Sequence, residues 1–162
     1  MRRAALPILL VIIGIALSSQ GTTPSLAVPV EPIAAILEAF KSHDLVGLGE
    51  AHALWQIEEF REALVRDPRF PEVVRIIVVE SGSARFQDVI DNFVAGGEVA
   101  DDTLSKVWED APKVFAQPMY RTFFRTVRAV NATLSENQRL RVLLGEDPTH
   151  LDRDGFLANL LR

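Results

Sequence analysis

The sequence predicts an α/β fold, layered, with a short and mostly parallel sheet of about three strands and flanking helices. Three apolar runs support this prediction, because four or five apolar residues bounded by turn residues are typical of strands buried on both faces. Helical spacing of apolar residues between the runs is the second observation, since alternation of strands and helices favours a parallel sheet. The runs lie at residues 45–49, 76–79 and 142–145.

The segments around the runs have the periodicity of amphipathic helices. Proline suits the first turn of a helix, and glycine commonly follows its last turn. Three strands are few for a layered sheet, so we expect the chain to be the N-terminal part of a larger α/β domain, truncated at its C-terminus. Helices are predicted from Pro32 to about residue 40, over 53–66, from Phe86 to Gly96, over 101–110, over 118–130 and around 156–161.

The first 27 residues have the order of an export signal. Arg2 and Arg3 give a basic start, residues 4–17 are apolar, and Ser25-Leu26-Ala27 places small residues at a cleavage site. The apolar stretch is shorter than the roughly 20 residues that a membrane span needs. We therefore expect a signal peptide at 1–27 and a periplasmic or secreted single domain at 28–162; an uncleaved membrane anchor is the alternative.

Composition excludes several classes of function. The chain has no cysteine, which excludes disulfides, thiolate chemistry and a lipoprotein anchor. Without the two leader arginines, 15 basic residues face 22 acidic ones, a net charge of −7. An acidic surface disfavours nucleic acid and stable membrane association after cleavage. We expect a small-molecule ligand, and self-association if the short sheet leaves an open edge.

Acidic and histidine residues follow each apolar run. The carboxyl ends of neighbouring parallel strands meet at one edge of a sheet, where α/β proteins bind ligands. We therefore expect side chains from several runs to converge there. Carboxylates beside an imidazole suit acid–base chemistry or a hard or borderline metal ion. The candidates are Glu50 and His52 after the first run, Glu80 after the second, and Glu146, Asp147 and His150 after the third.

The candidates after the first and second runs can also be explained by a structural role alone. Glu50 and His52 fit an exposed helix start, where a carboxylate favours the helix dipole. Glu80 follows four buried β-branched residues, so we expect it to be partly buried and to need a partner. That partner is either His52 or Glu50 across the strand ends, or an arginine such as Arg85.

The segments after the second and third runs have simpler alternatives too. Residues 146–150 fit a turn that precedes a helix start near Asp152. Ser83 fits the N-cap of the helix that follows it. A serine nucleophile is not expected, because the Gly-x-Ser-x-Gly elbow is absent.

At Gly49-Glu50-Ala51-His52, and at the strand that ends in Glu80, the chain resembles the erythromycin esterase-like superfamily and its relatives, the haem-binding uptake proteins of the ChaN type. Both carry a strand followed by Gly-Glu-x-His or Gly-Glu-x-x-His and then a helix, with a later strand ending in glutamate. The resemblance covers about residues 43–98, with weaker support at 139–150.

The resemblance implies an α/β fold with its site at the strand ends, and a hydrolase with His52 as the base that activates water; with the export signal, this predicts an exported hydrolase domain. Glu50 and Glu80 would be its supporting carboxylates. The ChaN-type relatives imply instead a non-catalytic protein that binds haem or a divalent metal through the same residues. An inactive truncated remnant is the third interpretation, so the sequence leaves enzyme activity and cofactor undecided.

Charge adds one expectation about the neighbours of this site. Two carboxylates beside one imidazole favour its charged form, and a protonated imidazole is a poor base. An active site therefore needs one of the carboxylates neutralised. Arg85, one turn into the helix after Glu80, is the residue that we expect to do this.

Overall fold

The computed structural model describes residues 29–49, 54–111, 119–149 and 151–162, and it has a helical α/β fold with a two-stranded parallel sheet. This confirms the predicted class. The helices are α1 (Pro32–Ala39), α2 (Trp55–Arg66), α3 (Phe70–Val73), α4 (Gln87–Val94), α5 (Asp101–Glu109), α6 (Met119–Asn131) and α7 (Arg153–Leu160), the strands are β1 (Ile76–Ser83) and β2 (Arg141–Glu146), and short 3-10 turns lie at Ala84–Phe86 and Glu136–Gln138.

Two of the three apolar runs form strands. β1 and β2 run parallel, with Ile76 opposite Arg141 and Val79 opposite Leu144. The run at 45–49 is irregular instead, and Leu45 and Leu48 are 59% and 48% exposed. Glycine at two of its five positions weakens a strand, because glycine loses more backbone entropy on folding than other residues and has no side chain to pack. The described part of the sheet therefore has one strand fewer than predicted.

The core lies between the sheet and helices α4, α5 and α6. Helix α6 buries Tyr120, Phe123, Phe124 and Val127, as its spacing predicts. The ring centroids of Phe123 and Phe124 lie 5.6 Å apart in an edge-on arrangement, which aromatic pairs prefer. The same core cluster contains the fully buried side chains Ile90, Leu104, Val107, Val142 and Leu144.

Helix α2 packs against α6 with a charged pair at the contact. Glu58 is buried and forms an ion pair with Arg61 one turn later. The Arg61 guanidinium lies 5.6 Å from the ring centroids of both Tyr120 and Phe123. A cation over aromatic faces is attracted by their quadrupoles, so this arginine joins the two helices.

Helix α7 packs against β2 because Gly145 leaves room for it. A Cβ at Gly145 would lie 2.5 Å from the Val79 carbonyl oxygen and 3.0 Å from Cδ1 of Leu157. Both contacts are closer than a side chain normally allows. The glycine therefore permits close approach of β1 on one side and α7 on the other, at the carboxyl ends of the strands.

Candidate functional site at the strand ends

Strand β1 carries Glu80 in a β-bulge. Pairing with β2 is regular up to Val79 and Leu144, and it resumes at Ser83 and Glu146. Four residue steps on β1 thus match two on β2. Gly82 has a φ of 101°, a conformation that glycine adopts without strain. Bulges bend a strand and redirect its side chains, and they are common beside functional sites.

The two glutamates at the strand ends differ in exposure. The Glu80 side chain is 44% exposed, whereas that of Glu146 is 2% exposed. Glu80 is therefore partly covered, as expected, but the run before it is less buried than predicted: Ile76 is 55% exposed, and only Val79 of its four residues is buried. The buried carboxylate of this edge is Glu146. Because a buried charge is costly without a partner, Glu146 is the residue that needs one.

Arg153 brings these two carboxylates together. Its Nε lies 3.0 Å from Oε2 of Glu146, and its Nη2 forms an ion pair with Oε1 of Glu80. A planar guanidinium presents several donors in a fixed fork, so it can hold two carboxylates at once in a defined geometry. Glu80 and Glu146 therefore meet at one edge, as the strand order predicts, through an arginine that the strand order does not indicate.

Arg85 does not take the predicted position beside Glu80. Its Nη2 donates a hydrogen bond of 2.8 Å to the carbonyl oxygen of Pro148, and its Nε lies 3.8 Å from Oδ2 of Asp110. The prediction assumed a regular helix after Glu80. The bulge and the 3-10 turn at Ala84–Phe86 replace the first turn of that helix, so Arg85 contacts the loop after β2 instead.

Asp147 holds the loop between β2 and α7. Its carboxylate accepts hydrogen bonds from the Thr149 hydroxyl at 2.5 Å, from the Thr149 amide at 3.0 Å, and from the amides of Leu151 and Asp152 at 3.1 and 3.0 Å. The Thr149 hydroxyl and these amides hold the pKa of the Asp147 carboxyl well below its usual range. The prediction of a turn in this segment is confirmed, and the Asp147 carboxylate stabilises that turn by accepting hydrogen bonds from its backbone amides.

Ser83 is completely buried at the end of β1, and its hydroxyl has no hydrogen-bond partner among the described residues. It occupies the N-cap position of the 3-10 turn, as predicted, but its side chain makes no capping hydrogen bond. Its register partner is Glu146. The edge therefore also contains a buried hydroxyl beside the buried carboxylate.

Three of the predicted site residues, Glu50, His52 and His150, lie outside the described residues. Their roles stay predictions. Within the described ranges, no group of three or more histidine, cysteine, aspartate or glutamate residues is placed to hold a metal ion.

Two grooves in the described part of the chain border helix α6, away from the strand ends, and have volumes of about 420 and 370 Å³. Arg125 and Arg128 border the larger groove, but Arg125 pairs with Asp101 and Arg128 donates to the carbonyl oxygens of Phe93, Gly96 and Gly97. These arginines therefore hold helices and a loop together. At the strand ends, by contrast, one guanidinium contacts both an exposed and a buried carboxylate.

Arg153 is the residue of this edge that sequence analysis missed. A signal for it exists. Arg153 is the first residue of α7 and follows its N-cap Asp152. Cations are unfavourable near the N-terminus of a helix, where the dipole is positive, so an arginine at this position is a candidate for an ion pair with an acid elsewhere in the fold.

Comparison of the chain with protein-family models, with curated proteins and with solved structures gives no match. Among the residues that the structure describes, no helix has the length and apolar character needed to cross a membrane.

Proposed function

We propose that this chain is an exported, erythromycin esterase-like hydrolase domain whose site lies at the carboxyl ends of β1 and β2. The observation that supports this most is the pair of carboxylates at adjacent strand ends, one exposed on a bulge and one buried, with a shared arginine. The substrate class is a small-molecule ester. The Gly49-Glu50-Ala51-His52 motif supplies the remaining groups.

In this proposal His52 is the general base and Glu50 and Glu80 orient it. His52 removes a proton from water as the water oxygen bonds to the ester carbonyl carbon. The tetrahedral intermediate then collapses, the bond from carbon to the alkoxy oxygen breaks, and the proton passes from the imidazole to the departing alkoxide. The products are a carboxylic acid and an alcohol.

The charge balance at the strand ends supports this assignment. An imidazole among several carboxylates is held protonated and cannot accept a proton from water. Arg153 contacts both Glu80 and Glu146, so its positive charge offsets part of their field. It thereby takes the part that the sequence analysis gave to Arg85.

Ester hydrolysis by the exported protein tests the proposal, with p-nitrophenyl acetate as the first substrate. We expect His52→Ala and Glu80→Gln each to abolish turnover, and the double variant to do little more, because the residues act as one unit. Glu136→Gln is the matched control, since this exposed glutamate lies before the start of β2, at the other end of the strand. Turnover no faster than in buffer, or equal turnover in all variants, would refute the proposal.

The non-catalytic alternative predicts a different result. A ChaN-type binding protein would shift the haem absorption band on titration, and His52→Ala would remove that shift, while ester hydrolysis would be absent. If the ligand is a divalent metal, calorimetric titration with Zn²⁺ would show binding to the wild type, and His52→Ala would remove it. A chain that neither hydrolyses nor binds would be the inactive remnant.

Export is part of the proposal and has its own test. The order of basic, apolar and small residues over 1–27 predicts cleavage after Ala27. N-terminal sequencing of the exported protein should therefore begin near Val28. Recovery of the exported protein with Met1 still present would support the uncleaved anchor.

A further inference from the structure

Strand β1 alone does not fix the position of the Glu80 carboxylate. Glu80 lies in the bulge, next to the segment with Gly82 in a left-handed conformation, and its side chain is 44% exposed. Arg153 is its one ion-pair partner within the described ranges. An exposed glutamate without such a partner samples several rotamers, so the contact with Arg153 decides where this carboxylate points.

Arg153 is anchored on its other side. Glu146 is the last residue of β2, its side chain is 2% exposed, and its Oε2 lies 3.0 Å from Nε of Arg153. A buried carboxylate on a paired strand has little freedom. The guanidinium therefore extends from a fixed acid in the interior to an exposed acid at the edge.

The backbone at Arg153 is fixed as well. Asp147, directly after β2, accepts hydrogen bonds from the amides of Leu151 and Asp152, and Asp152 accepts one from the amide of Gly155. Leu157 packs over Gly145 one turn further along α7. These contacts tie the first turn of α7 to the end of β2, and so they set the place from which Arg153 reaches Glu80.

We propose that Arg153 is a positioning residue of the strand-end site: helix α7 holds it against Glu146, and it holds the Glu80 carboxylate in one orientation. The effect on turnover rests on the proposed function, whereas the effect on the mobility of the edge does not. Arg153 itself needs no contact with substrate for this role.

Kinetics of two substitutions test the role in turnover. Arg153→Met removes the guanidinium and keeps much of the stem, so we expect kcat to fall at least about tenfold with little change in KM, since a misplaced catalytic group slows the step without weakening binding. Arg153→Lys keeps the charge without the fork and should recover part of kcat.

Amide hydrogen exchange supplies a readout that does not need activity. In Arg153→Met we expect faster exchange over residues 80–83 and 153–160, and unchanged exchange over 142–144 in the middle of β2. Arg125→Met is the matched control, because Arg125 is an exposed arginine paired with an exposed aspartate, at 3.3 Å, on helix α6. It should leave kcat unchanged and the exchange over residues 80–83 and 153–160 unchanged.

The outcomes separate the two proposals. A wild-type protein without esterase activity refutes the proposed function, and the exchange measurement alone then decides the role of Arg153. An active wild type with an unchanged kcat in Arg153→Met refutes positioning and leaves the proposed function standing. Faster exchange throughout the protein in Arg153→Met would show a general structural role, and it would also refute positioning.

Discussion

At the scale of single residues, the carboxyl-end edge of the sheet is stabilised by a side chain that binds backbone amides, in addition to the candidate site residues. Asp147 is buried and accepts four hydrogen bonds, three of them from backbone amides. A carboxylate that loses these donors on unfolding regains its ordinary affinity for a proton. Stability therefore depends on pH through this residue.

We predict that Asp147→Asn lowers the melting temperature at pH 7, and that the difference from wild type narrows in acid. The folded-state pKa of Asp147 is lowered from the ordinary 3.8, so its stabilisation is fully present above about pH 4 and is lost as the pH falls towards the folded-state value. Thermal unfolding between pH 2 and 7, followed by circular dichroism, measures this. Asp154→Asn, at an exposed position of α7, is the control. A difference independent of pH would contradict the assignment.

Gly145 gives the second prediction at this scale. A methyl group there would meet the Val79 carbonyl oxygen at 2.5 Å, and a backbone atom in a paired strand cannot easily move away. Gly145→Ala should therefore lower the free energy of unfolding by about 1–3 kcal/mol. Urea unfolding measures this. Gly47→Ala is the matched control, since a methyl group at Gly47 would meet nothing within 4 Å and should change stability little.

At the scale of elements, Asn131 joins two helices and a strand. It is buried at the end of α6, and its Nδ2 donates to the carbonyl oxygens of Val94 and Leu140 at 3.0 and 2.8 Å. Its Oδ1 accepts a hydrogen bond of 2.8 Å from the Leu140 amide. The end of α4, the end of α6 and the segment that leads into β2 are therefore held together by one amide.

We predict that Asn131→Ala lowers the free energy of unfolding by about 2–4 kcal/mol, because it leaves several buried backbone groups without partners. Chemical denaturation of the variant and the wild type measures the difference. Asn159→Ala, at an exposed position of α7, should cost far less. Equal effects of the two substitutions would show that the Asn131 amide is replaceable by water.

At the scale of the whole molecule, exposed apolar side chains lie close in sequence on either side of residues 50–53, which are outside the described residues. Leu45, Leu48, Leu54 and Trp55 are each about half exposed, at 48–59%. Exposed apolar residues that occur together mark surfaces that bind something, whereas single ones are ordinary. The outer edges of the described two-stranded sheet add backbone groups that another chain can pair with.

We predict that the exported protein self-associates as its concentration rises, through these exposed apolar side chains. Leu48→Ser should weaken the association, because it removes apolar surface that contact would bury. Sedimentation velocity over a range of concentrations measures this. Leu161→Ser is the matched control, since Leu161 is exposed to a similar degree, 44% against 48%, at the other end of the described chain. A single monomeric species at all concentrations would contradict this prediction.

The sequence by itself determined the class of the fold and the place of its main elements. Apolar spacing predicts α2, α5 and α6 nearly to their ends, because the periodicity of a long amphipathic helix is local information. The continuous runs before Glu80 and Glu146 predict the two strands. The order of strands then predicts that the two glutamates meet at one edge, which the structure shows.

Only the tertiary structure decided how that edge is arranged. Whether the run at 45–49 forms a strand depends on a partner edge, and a bulge depends on the register of both strands, so neither follows from local spacing. The bulge exposes Glu80 and displaces Arg85 towards Pro148. Arg153 reaches the site because α7 folds back over Gly145. Ion pairs between distant segments form only where the fold brings those segments together, and the local residue pattern of one segment does not predict this.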